Sequence, residues 1–575
     1  MKISQQVEER DGTVFNALES NVGIDLKDTA GLEAELRALR DREISSVGEL
    51  ETWLDDEQTL AEDIMEVTSR HAIAFHQDTR NEEARELYMH DQTVVQPILL
   101  QYQGELDKKF CDCPFTPRLD DGKYGLMRRV RQTKVKLFRQ ENIPLIVREQ
   151  EIVARYQELM GGLTVAWNGE KKPHPYVQAQ LDSPDRATRE KAWQALAAVR
   201  REIKPQVDEM MNELVRVRHQ IATNAGFENY RDYVFAAKNR EFTLEQILAY
   251  HDAIEKHAVP AADRLAQVFQ AKLGVATYRP WDATNCLLPG APFENVTELM
   301  DGVAKMLGET DPAFRATFDH MRSNGLLDLD VREGKAPGGF CMPLPRSKEV
   351  FVFANFSPSF FAVIALIHEM GHAVNFYHQF ESGQRFSEYT MRMEVAELYS
   401  HGMELLNLDK LRTFYTSDEA FDNAKAAELN RAFRMLIGPM SGDVFQHWLY
   451  THPNHTVEER DAKFLEMCRR FTHHATDITG LEADLANSWI ESHHIVGLPF
   501  YNIEYSLSEL GAIQLLELYR DDPANATRLF RQGAASDSNM SIADIYRATG
   551  VDFDFTEPAI RKHAAFVEQL VSELA

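Results

Sequence analysis

The chain is poor in cysteine and in positive charge, and it lacks a long uninterrupted apolar run. Five cysteines in 575 residues are too few, and odd in number, for a disulfide framework, so a reducing cytoplasmic setting is expected. Cys111 and Cys113 stand one residue apart, the wrong spacing for the usual zinc or redox pairs. Lysine and arginine number 62 against 90 aspartates and glutamates, a net charge of −28. A nucleic acid would meet like charge, and an anionic lipid surface has nothing to attract it. The longest notable apolar stretch, Ser359 to Ile367, is about half of what a membrane-spanning helix needs. Met1 to Gln6 lead into charged sequence with no apolar core of a signal peptide. Neither a nucleic-acid nor a membrane partner is therefore expected.

What is present is mostly helical periodicity. Val95, Ile98, Leu99, Tyr102, Leu106 and Phe110 form one apolar stripe, and Pro97 within it should kink the helix or mark a first turn. Ser183-Pro184-Asp185-Arg186 reads as a helix start with Ser183 as N-cap. Leu163 to Trp167, followed by Asn168-Gly169, reads as a short hairpin edge. Strand-like alternation is confined to about residues 325 to 356, interrupted by Pro337-Gly338-Gly339. The expected class is mainly α, with a small antiparallel β-sheet just before the most informative helix. No repeat, low-complexity tract or long linker marks a domain border, which is set near residue 200.

That helix carries His368-Glu369-Met370-Gly371-His372-Ala373. His368 and His372 are one helical turn apart on one face, which suits two neutral nitrogen ligands on one zinc ion. Glu369 then stands beside the metal, placed to take a proton from water. Gly371 and Ala373 are small enough for another segment to approach closely. By chance alone the pattern is expected roughly 0.06 times in such a chain, and an apolar run leading into three polar side chains would otherwise bury them without cause. A third ligand must come from elsewhere. Glu394, Glu397, His401 and Glu404 share one face of the next helical segment, fitting one ligand with partners that orient the histidines. Spacing alone leaves Glu394 and Glu397 open.

With these motifs the sequence resembles the thimet oligopeptidase and oligoendopeptidase F family of zinc metallopeptidases. The matching residues are His368 to Ala373, then Val395-Ala396-Glu397-Leu398-Tyr399-Ser400, the family's glutamate ligand in its Glu-x-x-Ser setting. Gly338-Gly339-Phe340-Cys341 and Phe351 to Phe356 look like the family's sheet, whose edge strand pairs with substrate backbone. His494 to Tyr505, containing Gly497, Pro499 and Tyr501, resembles the segment that supplies a histidine and tyrosines to the scissile carbonyl. Weaker similarity reaches back through Tyr230-Arg231-Asp232-Tyr233 into the N-terminal helices. Two departures, Ser357-Pro358 and the stretch Glu388 to Arg392, lie near the expected substrate path.

The resemblance implies one zinc ion per chain held by His368, His372 and Glu397, with Glu394 a neighbour and His401 and Glu404 as supporting residues. It implies Glu369 as general base and His494, Tyr501 and Tyr505 as donors to the carbonyl oxygen, where residue type alone would favour core packing for the tyrosines. Gly338, Gly339, Phe353, Ala354 and Asn355 would form the substrate strand. The implied architecture is a two-lobed helical ellipsoid around a deep channel with a zincin-like core, residues 1–200 covering a catalytic domain of residues 201–575. The implied substrates are short unfolded oligopeptides. A carboxypeptidase or dipeptidyl carboxypeptidase would use the same zinc set, and a non-catalytic helical peptide-binding protein is the alternative of another class. Nothing in the sequence reports oligomeric state. His473-His474 and His493-His494 are adjacent pairs, of which only His494 is supported by its surroundings, and Cys341 reads as structural.

Overall fold

The computed structural model describes residues 15–19, 22–283, 287–288, 291–384, 391–472 and 474–574. Cys286, Glu388 and His473 fall outside the described residues. Helix accounts for 72% of the structure, which bears out the mainly α expectation. The four described cysteines are free thiols.

Local signals act largely as read, with one displacement. Asn168 and Gly169 both adopt positive φ, 53° and 85°, and turn strand β1 (Thr164–Trp167) into its antiparallel partner β2 (Glu170–Pro173). Pro97 sits in the first turn of the helix Gln96–Asp112, after a π-helical turn at Asp91–Val95, where its missing N–H is harmless. The helix after Pro184 begins instead at Arg186, because Asp185, not Ser183, accepts from the Thr188 N–H. Carboxylate and backbone N–H pair there with a formal charge that the Ser183 hydroxyl lacks.

Strands β3 (Leu327–Asp330), β4 (Phe340–Leu344) and β5 (Glu349–Phe356) form one sheet in the order β3-β5-β4. It is mixed, not antiparallel throughout: β3 runs parallel to β5 and β4 antiparallel to it. Val350 to Ala354 are all buried, because the central strand is covered on both faces. Its two backbone edges are used by β3 and β4, so Phe353 cannot also pair with a peptide. Asn355 turns its amide onto the carbonyls of Ala336 and Gly338, at 2.8 and 3.0 Å, and shapes the loop before β4. The sheet's two outer edges are those of β3 and β4.

Three main apolar cores organise the helices. One lies within residues 26–124, a second joins residues 152–234 to residues 445–500, and the largest is built almost wholly from residues 242–571. Residue 200 falls inside the 39-residue helix Arg186–Asn224. The second core draws on two segments far apart in the sequence. One helix, Phe360–Glu381, is long and apolar enough to cross a membrane, yet 61% of its most apolar window is buried inside the protein.

That helix, here the histidine helix, starts where Ser359 accepts from the Ala362 N–H. It packs on the glutamate helix, Met393–Leu406, through Gly371. A Cβ at Gly371 would stand 2.3 Å from the Tyr399 carbonyl oxygen and 2.6 Å from Ser400 Cα, so the two backbones touch. Gly371→Ala is therefore expected to destabilise the fold by about 1–3 kcal/mol, measured by denaturant unfolding. Gly402→Ala should cost less, since its new methyl meets side chains, Leu515 Cδ1 at 2.8 Å and the Phe530 ring at 3.3 Å, and no backbone.

Candidate active site

The close approach at Gly371 carries Glu397 to the two histidines. Glu397 Oε2 lies 3.6 Å from His368 Nε2 and 3.8 Å from His372 Nε2. These separations are too long for hydrogen bonds and match what bonds of roughly 2.0–2.2 Å to one shared ion require. The three donors lie together as a metal-sized group, and the set of two imidazoles and one carboxylate suits zinc. Glu394 is not brought to this group. It pairs with Arg240 at 3.3 Å, so geometry decides between the two glutamates in favour of Glu397.

The surroundings hold both rings in ligand form. His368 Nδ1 is 2.7 Å from Glu404 Oε1, which fixes the proton on Nδ1 and leaves the Nε2 lone pair facing the group. Burial, then the neighbouring His372, His401 and Arg431, hold His368 well below its usual pKa, and burial lowers that of His372 too. Their side chains retain 21% and 15% exposure, and His368 lines a cavity. Ser400 Oγ donates to Glu397 Oε2 at 2.9 Å, which gives the serine of Glu-x-x-Ser a function. His401 Nε2 stands 3.9 Å from Glu397 Oε2, and its Nδ1 is 2.9 Å from the fully buried Glu509. Glu404 is also paired with Arg431, which Glu428 holds at 2.7 Å. Glu369 is pushed up to about 8 by burial and then by the charge of Glu397.

The cavity, about 580 Å³, is walled by His368, Glu369, Phe361, Ile364 and Met435 on one side and by Trp489, His494, Ile495 and Tyr505 on the other. Its walls thus come from the largest and the second apolar cores, placing the site between them. His494 lies on the short helix His493–Val496, and Tyr505 on the tyrosine helix, Asn502–Asp521, with Tyr501 at its N-cap. The His494 ring stacks on Tyr501 at 5.3 Å, and the two tyrosine rings are 5.1 Å apart. Tyr501 Oη is 3.5 Å from Glu397 Oε1, and Tyr505 Oη is 3.5 Å from His494 Nε2. Both contacts are long, and neither residue is fully buried, so the tyrosines are not core packing. Burial first, then Glu397, raises the Tyr505 hydroxyl to about 12 and Tyr501 further; both remain protonated donors. Cys341, on the edge strand β4, is near enough to Glu369 for that carboxylate to raise its thiol pKa, behind the larger effect of burial.

Sequence reasoning missed Glu509, Glu428, Arg431 and Arg240. Glu509 follows Tyr501 and Tyr505 at the same four-residue spacing, a signal that could have found it. Glu428 and Arg431 sit in a charged run that reads as a solvated helix face. His474 plays no part in the group.

Residues 179–564 match the family model for peptidase family M3. Over 220 residues the chain is 27% identical to oligopeptidase A of Escherichia coli (strain K12) and equally to that of Salmonella typhimurium (strain LT2). The match spans 29% of this chain and about a third, 32%, of those relatives. Among solved structures, PZ peptidase A with an inhibitor has a TM-score of 0.84 at 22% identity, covering 95% of this chain and 97% of its own. A Bacillus anthracis str. Ames protein described as an oligoendopeptidase F has a TM-score of 0.81 at 20% identity, with 97% and 99% covered; at such identities the likeness is one of fold. The family model, spanning well over half of the chain and the whole of the His/Glu cluster, carries the assignment: this chain belongs to peptidase family M3.

Proposed function

We propose that this protein is a zinc-dependent endopeptidase acting on short unfolded oligopeptides in the cytoplasm. The observation that carries the reading is the group of His368, His372 and Glu397 at ion-sharing distances, with Glu369 half-buried in the cavity wall beside it. One zinc ion held by those three residues would lower the pKa of a water toward roughly 7 and polarise the scissile carbonyl. Glu369 accepts the proton of the attacking water and delivers it to the leaving amine. Its tendency to hold a proton, caused by burial, suits the second transfer as well as the first. Tyr501 and Tyr505, with His494 against both rings, donate to the carbonyl oxygen as it becomes an oxyanion. The exposed edge of β4, passing near Glu369, offers backbone groups to an extended peptide, with Gly338 and Gly339 at its start. A Cβ at Gly339 would press on the Phe353 carbonyl at 3.1 Å, so the loop lies flat on the sheet.

Endopeptidase action is preferred to carboxypeptidase action on a specific ground. The lysine or arginine among the described cavity residues is Arg431, and it is held between Glu404 and Glu428. It is not free to clamp a terminal carboxylate. Peptides with free and amidated C-termini should therefore be cut at comparable rates, read by mass spectrometry; dependence on the free carboxylate would reverse this preference.

Chelation should abolish turnover and zinc restore it. Glu369→Ala should keep near one zinc per chain and bind peptide, yet lose nearly all turnover; near-normal kcat would remove the general-base role. Glu404→Gln should weaken zinc affinity by roughly 10–100-fold, measured by competition with a chromophoric chelator. Tyr501→Phe and Tyr505→Phe should lower kcat more than they raise KM, and an unchanged kcat in both would remove the donor role.

A further inference from the structure

We propose that Gln446 is a positioning residue for this reaction, holding the segment from His494 to Tyr501 so that the tyrosine hydroxyls face the metal group. The inference rests on the donor role given above to Tyr501 and Tyr505. Gln446 lies on the long helix Asp418–Thr451 and is fully buried. It is behind the segment, outside the cavity lining, and reaches the site only through that segment.

All of its amide groups are committed. Nε2 donates to the carbonyls of His494 and Ile495, at 3.3 and 3.1 Å, and Oε1 accepts from the Phe500 N–H at 3.0 Å. The partners dictate which end is which, since a flipped amide would set acceptor against acceptor and donor against donor. Phe500 needs such a hold. It is a buried non-glycine residue with φ of 60°, a conformation kept only where the surroundings impose it. Phe500 is immediately followed by Tyr501, so its dihedral angles aim the first tyrosine.

Neighbouring groups complete the clamp. Arg240 donates to the Phe500 carbonyl, and Arg218 donates to the Val496 carbonyl at 2.9 Å. The His447 ring packs against Phe500 at 5.1 Å and is itself placed by Asp443. One turn before Gln446, a Cβ on Gly442 would lie 2.5 Å from Asn502 Nδ2, so the segment rests directly on the helix. Arg218 and Arg240 also neutralise Glu149, Glu394 and Glu504, and removing either would strand a buried charge. Gln446 is neutral, so its substitution separates positioning from charge.

The test uses the full-length, zinc-loaded chain and a peptide that the wild type cleaves in a chelator-sensitive way. Gln446→Met keeps the side-chain length and removes the three hydrogen bonds. Its kcat is expected to fall on the order of 10²-fold, with KM within a few-fold and zinc content unchanged. Gln446→Leu also removes the three hydrogen bonds without adding charge and should lose kcat to a similar extent; if the methionine variant does not fold, the leucine variant carries the comparison. In a Tyr501→Phe/Tyr505→Phe background either substitution should add little, because the groups it aims are already gone. An unchanged kcat, or a loss that multiplies fully with that of the tyrosine variants, overturns the positioning role. A wild type indifferent to chelator would instead count against the zinc reading, so the two failures are distinct.

Discussion

The contact between the backbone of the glutamate helix and Gly371 of the histidine helix is the constraint on which the site depends. Helices with side chains between them cross at a distance that would leave the Glu397 carboxylate short of His368 and His372. With hydrogen as the only side chain at Gly371, the Tyr399–Ser400 backbone takes the space. The same approach sets Glu404 against His368 and His401 behind Glu397, because those residues follow at helical spacing. One missing methyl group therefore underlies both the His/Glu group and the arrangement of the residues packed behind it.

The electrostatics around this contact are unusual for a protein interior. Glu369, Glu397, Glu404, Glu428 and Glu509 crowd one region, with Arg431 the cation placed among them. Burial lowers even that guanidinium, to about 10, and raises Glu428 well above the carboxylate range. An excess of buried negative charge of this kind is costly unless it is paired with a cation. A divalent ion on His368, His372 and Glu397 would supply it, so the chemistry of the site and the stability of its surroundings ask for the same occupant.

Much of this was legible in the sequence because it is local. His368, Glu369 and His372 lie within one helical turn, and the Asn168-Gly169 turn and the Pro97 first turn follow from single-residue backbone preferences. Glu397, His401 and Glu404 were legible as a polar stripe; spacing left Glu394 open, the Glu-x-x-Ser resemblance pointed to Glu397, and the structure shows what lies opposite each. Arg240, opposite Glu394, is distant in sequence and carries no motif. The strand order was hidden for a similar reason: alternation reports which residues are strand, not which strand is central, and β5 proved to be covered on both faces. A border near residue 200 leaves no mark because that position lies within a continuous helix and the second core is assembled from segments far apart in the chain. Gln446 and Phe500 left no signal, since a glutamine inside a long helix and a phenylalanine after a proline are both ordinary.

That divided second core also sets an order of events during folding. The core within residues 26–124 can close as soon as its own helices exist, whereas residues 152–234 must wait for residues 445–500 to be synthesised. Until then the apolar faces of Ile203, Val207, Met211 and Leu214 have no permanent cover. The segment that finally covers them is the one bearing His494, Val496 and Phe500, so completing this half of the molecule and placing the His494 side of the cavity are one step on the ribosome's timetable.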